Sequence, residues 1–187
     1  MGVGNAPVIE ERRANPVKTK ARIGIRETAL TPEVTDELLR MSEDWEKENS
    51  CHGYRKNAET DIAGKRIFTA CSGAQIIGYL LGHGEKTDKP SSMIPQGETV
   101  FEVDELYVCP AFRGQGVGAQ LFQYAEQAVL DEASFLTLTA ASRNGKAILH
   151  FYLEEMGMTF WSARLFKPLH ALPSACGGET AASPDET

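Results

Sequence analysis

A strand that stops at a proline and passes, through three closely spaced glycines, into an amphipathic helix constrains this chain more than any other feature. Thr99-Val-Phe-Glu-Val-Asp-Glu-Leu-Tyr-Val108 is rich in β-branched and aromatic residues and ends before Pro110, which has no N–H for a sheet ladder. Beyond Cys109-Pro-Ala-Phe-Arg-Gly-Gln-Gly-Val-Gly-Ala119, the residues Val117, Leu121, Tyr124, Ala125, Ala128 and Val129 recur at the steps of three and four that one helix face requires. The glycines therefore lie at a strand-to-helix junction.

Without a Cβ, the backbone at Gly114, Gly116 and Gly118 can approach a ligand closely. The first donors of the following helix lack intrahelical partners and sit at the positive end of its dipole, which suits an anion such as a pyrophosphate. Arg113 can add its fork at the rim. The sequence excludes a P-loop, because no Gly-Lys-Ser/Thr follows. Gly114, Gly116 and Ala119 satisfy the dinucleotide fingerprint literally, but the next strand, Ser134-Phe-Leu-Thr-Leu-Thr-Ala140, ends without the acidic residue that a ribose needs.

The spacing Arg-x-x-Gly-x-Gly after Leu-Tyr-Val resembles the coenzyme A motif of the GNAT superfamily of N-acetyltransferases. A second segment extends the resemblance: Asn144-Gly-Lys-Ala147 opens a helix that carries Phe151 and Tyr152 and runs into Gly157-Met158. The resemblance covers Thr99 to Phe166 closely. It implies an α/β fold with a mixed, mostly antiparallel central sheet, split at the cofactor strand and flanked by helices. It also implies an acyl-CoA-dependent N-acyltransferase that moves an acetyl group from acetyl-CoA to a primary amine of a small molecule or peptide. The cofactor contacts it implies are Leu106, Tyr107 and Val108 on the strand, Arg113, Gly114, Gln115, Gly116, Val117 and Gly118 at the turn, and Asn144. An acyl-CoA-binding sensor without turnover is the alternative.

The remainder of the chain reads as one domain, 21–169, between an N-terminal extension, 1–20, and a C-terminal tail, 170–187, both of polar, Pro-containing composition. Ala21–Glu27 is a candidate strand. Thr31-Pro32-Glu33 signals a helix start, and Val34, Leu38, Leu39, Met41 and Trp45 supply its apolar face to an end near Asn49-Ser50. Arg66–Cys71 and Gln75–Leu81 form a hairpin about Ser72-Gly73, its second arm apolar enough for burial on both sides. Gly82–Gly97 reads as a loop and candidate lid, and Thr159–Phe166 as a closing strand with Phe160 and Trp161 in the core. Cys51-His-Gly-Tyr-Arg-Lys-Asn-Ala58 falls where the family contacts its acceptor.

A net charge of −7 argues against a nucleic-acid partner. No stretch is apolar enough to span a bilayer, and the N-terminus lacks a signal-peptide pattern, so a cytoplasmic location is expected. The four cysteines have no metal-ligand spacing, and no metal is expected. A homodimer remains open.

Acetyl transfer to an amine needs a base, an oxyanion donor and a proton for the leaving thiolate. Strand alternation places Glu102 and Asp104 on one face and Glu105 on the other. The resemblance favours Glu102 as base, with Glu105 second. Some members carry a glutamate in the following strand, where this chain has Thr139. Backbone N–H groups from Leu106 to Val108 would supply the oxyanion donor. Tyr152 resembles the family's proton donor, although it lies eight residues after Asn144 where seven is usual and five before Gly157 where four is usual. One extra residue turns a helical side chain by about 100° unless a bulge absorbs it.

Overall fold

The structure, a computed structural model, describes residues 23–165 and 167. Five strands, β1 (Ile23–Glu27), β2 (Arg66–Ser72), β3 (Gln75–Lys86), β4 (Thr99–Val108) and β5 (Phe135–Leu138), form one sheet in chain order. The first three junctions are antiparallel and the last, β4 with β5, is parallel. A parallel neighbour cannot be reached by a tight turn. The connection is the helix α3 (Val117–Val129), which crosses one face of the sheet. The other helices are α1 (Pro32–Glu48), α2 (Glu59–Ile62) and α4 (Gly145–Leu149), the last continuing as a π-turn over His150–Glu155. Among the described residues no helix is long and apolar enough to cross a membrane.

The helix starts follow from local chemistry. Thr31 caps α1, its hydroxyl accepting the Val34 N–H at 3.3 Å, while Pro32 occupies the first turn, where its missing donor costs nothing. The helix stops at Asn49, in the left-handed region at φ 49°. Its buried residues Leu38 and Met41 join Ile62, Ile67, Tyr79, Leu81 and Tyr107 on one side of the sheet. On the other side Val117, Leu121, Phe122, Ala125 and Val129 of α3 pack against Phe68, Ile77, Leu80, Phe101 and Val103. Strand β3 thus feeds both cores, as its apolar run implies. Tyr124, assigned by periodicity to the buried face of α3, is instead 41% exposed, and Phe122 is buried.

Three expectations are corrected. Gly82–Lys86 is not part of a loop: it extends β3 and pairs with Thr99–Val103, because the first half of β4 needs an antiparallel partner. Thr159–Leu165 forms no strand, and Phe160 and Trp161 are about half exposed, the Trp161 indole N–H donating to Ser92 Oγ at 3.2 Å. The third concerns the carboxylates of β4. Leu81 pairs with Glu105 but Gly82 pairs with Val103, so Asp104 is an extra residue in a β-bulge. Glu105 shares the face of Leu81, and Glu102 that of its own partner His83, two residues further along β3. The bulge therefore brings Glu102 and Glu105 to the same face. The proposed extension 1–20, Phe166 and the tail 170–187 lie outside the described residues.

Gly82 sits where β3 meets the Phe101 ring. A Cβ there would lie 2.5 Å from Phe101 Cζ and 2.7 Å from the Glu102 carbonyl oxygen. Gly82→Ala is expected to destabilise the fold by about 1–3 kcal/mol through overpacking, read as a lowered midpoint in chemical denaturation.

Candidate active site

Strands β4 and β5 pair only from Val100–Phe135 to Val103–Leu138. Beyond that point β4 continues for five residues while β5 has ended, so the sheet opens into a wedge. On the β3 side, the Cys109 N–H donates to the Ile77 carbonyl at 2.9 Å. Alternation then aims the N–H groups of Leu106 and Val108 into the wedge. The intervening Tyr107 points instead into the α1 core, where its ring is buried and its hydroxyl donates to Glu48 at 2.7 Å.

The glycine turn stands at the end of this edge. Gly114 and Gly116 have φ of 68° and 77°, conformations that L side chains rarely adopt. A Cβ would meet open space at Gly114 and only the Gln120 amide, at 3.8 Å, at Gly116. This is a bare backbone cradle at the N-terminus of α3, a 13-residue helix. Val117 is a core residue, and Gly118 lies against Phe151, whose Cζ would be 3.7 Å from a Cβ. Gln115 turns its amide back to the Ala111 carbonyl at 3.1 Å. The Arg113 fork is engaged: Nη2 donates to both oxygens of Glu48 at 3.0 and 2.8 Å, and Nε donates to the Val108 carbonyl at 2.8 Å. It thus braces the turn against α1. The cradle, the helix start and the open strand edge fit the diphosphate and the amide-bearing arm of coenzyme A.

A cavity of about 220 Å³ lies in the wedge. Its walls come from Trp45 of α1, the loop Cys51–Tyr54, the bulge Asp104–Leu106, the segment Leu138–Ser142 after β5, and Ile148 and Tyr152. The loop is tied to the segment through the main chain: the His52 N–H donates to the Ala141 carbonyl at 2.7 Å and the Arg143 N–H to the Ser50 carbonyl at 2.9 Å. Cys51 and Ser142 face each other in an isolated bridge.

Glu105 and Asp104 are the acidic residues that line this cavity, and Glu105 is the more buried of the two. It accepts from Tyr79 Oη at 2.8 Å and from Asn57 Nδ2 at 3.0 Å. Burial pushes its pKa up, and the two donors pull against that shift by favouring the ionised form. The Tyr79 phenol is itself driven upward, by burial first and then by the Glu105 charge. The Tyr54 hydroxyl, in the same wall, is buried beside Glu105, and burial raises its pKa as well. Glu102 does not line the cavity; its carboxylate accepts from the Thr137 hydroxyl on β5. Asp104 is held by Lys65 Nζ and His83 Nδ1, each at 2.9 Å.

Tyr152 reaches the cavity because the helix widens. The Met156 N–H donates to the Phe151 carbonyl at 3.0 Å, the five-residue step of a π-turn, which accommodates the additional residue between Tyr152 and Gly157. Packed against Phe122 and Phe151, the phenol has its pKa pushed up to about 12, by burial first and then by Cys51. Asn144 caps α4, its Oδ1 accepting the Ala147 N–H at 3.2 Å, and it is exposed. Periodicity gives Trp45 and Tyr79 as core residues only, and the sequence marks Tyr54 and Asn57 only as part of the segment 51–58. Only Tyr79 carried a signal: a hydroxyl within an otherwise apolar buried strand has to find a partner.

The model of the acetyltransferase (GNAT) family matches residues 31–158, and the chain belongs to that family. No curated protein matches it. Among solved structures, an aminoglycoside acetyltransferase from an uncultured soil metagenomic sample, in complex with sisomicin, is 13% identical, with 79% of this chain and 97% of the other covered and a TM-score of 0.57. A transcriptional regulator from Bacillus halodurans C-125 is 22% identical, with 79% and 100% covered and a TM-score of 0.58. The ribosomal-protein-alanine N-acetyltransferase of Brucella melitensis biovar Abortus 2308 is 15% identical, with 78% and 99% covered and a TM-score of 0.54. At these identities the likeness establishes the fold.

The opposition at Glu105 has a measurable sign. Removing the Tyr79 hydroxyl takes away a donor that favours the carboxylate, so Tyr79→Phe should move the Glu105 titration to higher pH, followed by carboxyl-carbon NMR. The loss of a hydrogen bond to a charged group should also cost about 1.5–3 kcal/mol of stability at neutral pH.

Proposed function

We propose that this protein transfers the acetyl group of acetyl-CoA to a primary amine. The observation that carries the reading is that Glu105 and Tyr152 line one cavity where β4 leaves β5, next to the bare glycine cradle. Acetyl-CoA, when bound, supplies a thioester whose acetyl carbon is open to attack and whose sulfur departs.

The chain's own groups divide the remaining work. The N–H groups of Gly114, Gly116 and the first turn of α3 hold the diphosphate, and the exposed end of Asn144 gives a further contact. Leu106 and Val108 offer backbone donors to the arm and to the carbonyl oxygen as negative charge grows on it. An alkylammonium of pKa about 10.4 must lose a proton before it can attack. Glu105 takes that proton, directly or through water, and burial brings its pKa towards the working range of a base. The nitrogen sheds a second proton once it is bonded to carbon. Tyr152, protonated throughout at neutral pH, donates to the departing sulfur and relays that proton. Glu102, bound to Thr137 beside the closed part of the sheet, has no part in the proton path.

Two experiments test the reading. Acetyl-CoA should raise the melting temperature by mass action, whereas NAD should not. Gly116→Asp should abolish the rise, since aspartate tolerates the left-handed backbone but sets a carboxylate against the phosphates. A nicotinamide shift without an acetyl-CoA shift would end the proposal, and absence of thiol release with every amine would leave a sensor.

The second is a pH profile. Only ionised Glu105 can accept a proton, so kcat/KM should rise as pH passes through its elevated pKa. Glu105→Gln should remove that limb, with activity recovering only as the amine deprotonates by itself towards about pH 10. Glu102→Gln should leave the limb in place; the reverse pattern would reassign the base to Glu102.

A further inference from the structure

The cavity walls select among amines, and this inference rests on the acetyltransferase reading above. The acidic side chains in the lining are Asp104 and Glu105, and no described lysine or arginine lines it. Asp104 is already matched by Lys65 and His83, each at 2.9 Å, so the charge left for a ligand is that of Glu105. A single buried carboxylate accommodates one ammonium. A second or third ammonium would be set against Leu106, Leu138 or Ile148, where nothing pairs with it. A carboxylate on the acceptor, next to the reacting amine, would be brought up to Glu105 with no lysine or arginine in the lining to offset it.

Part of the wall is aromatic, and Trp45 packs between Tyr54 and Tyr107. The Trp45 and Tyr54 rings lie 4.1 Å apart between centroids, tilted by 35°, and the indole N–H is tied to Ser50 Oγ at 3.1 Å. Both rings line the cavity, held in place before any ligand arrives. Such a surface takes a flat apolar body. At about 220 Å³ the space is smaller than the roughly 300–1,000 Å³ of sites for drug-sized ligands.

We infer that the acceptor is a small primary monoamine on a flat apolar or aromatic body, bearing no carboxylate, with its nitrogen at Glu105 and its body against Trp45 and Tyr54. The transfer balances: the ammonium yields one proton to Glu105, nitrogen bonds to the acetyl carbon, and the C–S bond breaks. The second nitrogen proton then ends on sulfur, leaving an amide and a thiol. Aminoglycosides, the substrates named for one structural neighbour, are polycations and fall outside this class.

The test compares 2-phenylethylamine, phenylalanine, propylamine, spermidine and sisomicin on the full chain, with thiol release from acetyl-CoA as one readout. The second is quenching of Trp45 fluorescence in a Trp161→Phe background, where Trp45 is the sole tryptophan. 2-Phenylethylamine should exceed phenylalanine at least 100-fold in kcat/KM, exceed spermidine and sisomicin at least 10-fold, and quench Trp45 saturably. Trp45→Leu should lower the ratio of 2-phenylethylamine to propylamine at least 10-fold. Preference for phenylalanine, spermidine or sisomicin, or an unchanged ratio in Trp45→Leu, overturns the inference and leaves acetyl transfer standing. Saturable quenching by 2-phenylethylamine alone, without turnover of any amine, supports the ligand class and overturns the transferase. Neither quenching nor turnover overturns both.

Discussion

A sheet that stops pairing partway along one strand determines most of what this molecule can do. Backbone donors normally have partners within the ladder, and the five residues of β4 beyond Val103 forgo theirs on one side because β5 ends at Leu138. The arrangement persists because both flanks are supported. The antiparallel pairing with β3 runs to Val108, α1 and α3 cover the two faces, and Arg113 joins the glycine turn to Glu48 at the end of α1. An unpaired strand edge is a liability in solvent. Enclosed between a glycine turn and a cavity it becomes a row of aligned donors.

The proposed base is shaped by a one-residue irregularity in the same strand. Bulging out Asp104 changes the phase of β4, so that Glu105 and Tyr107 share a face with Tyr79 and α1 while Leu106 and Val108 stay with the α3 core. Glu105 consequently lies between a desolvating wall and two donors, Tyr79 and Asn57, whose effects on its charge are opposed. Tyr152 depends on a similar device, a widened turn that holds one more residue than an α-helix would. Both groups of the proposed proton path are therefore placed by departures from regular secondary structure.

That explains which parts were legible in the sequence. The β3 run, the α3 stripe, the Thr31-Pro32 start and the glycine junction are periodic or local signals, and each was readable from residue types alone. The phase of Glu105 was not, because alternation assumes no bulge and nothing in Glu-Val-Asp-Glu marks one. The expected strand at 159–165 failed because aromatic content measures affinity for a sheet and not the presence of a free neighbour to pair with. The loop residues that complete the cavity carry no period at all: Asn57 and Tyr54 gain meaning only once β4 passes beside them.

The loop Cys51–Tyr54 is fastened to the segment after β5 by main-chain groups, His52 to Ala141 and Arg143 to Ser50. Attachments of that kind are indifferent to which side chains the loop displays. Substitution across Cys51–Tyr54 can therefore change what the cavity admits without releasing the loop from its position. Descendants of this chain could explore new acceptors one residue at a time, keeping throughout a wall in the right place to receive them.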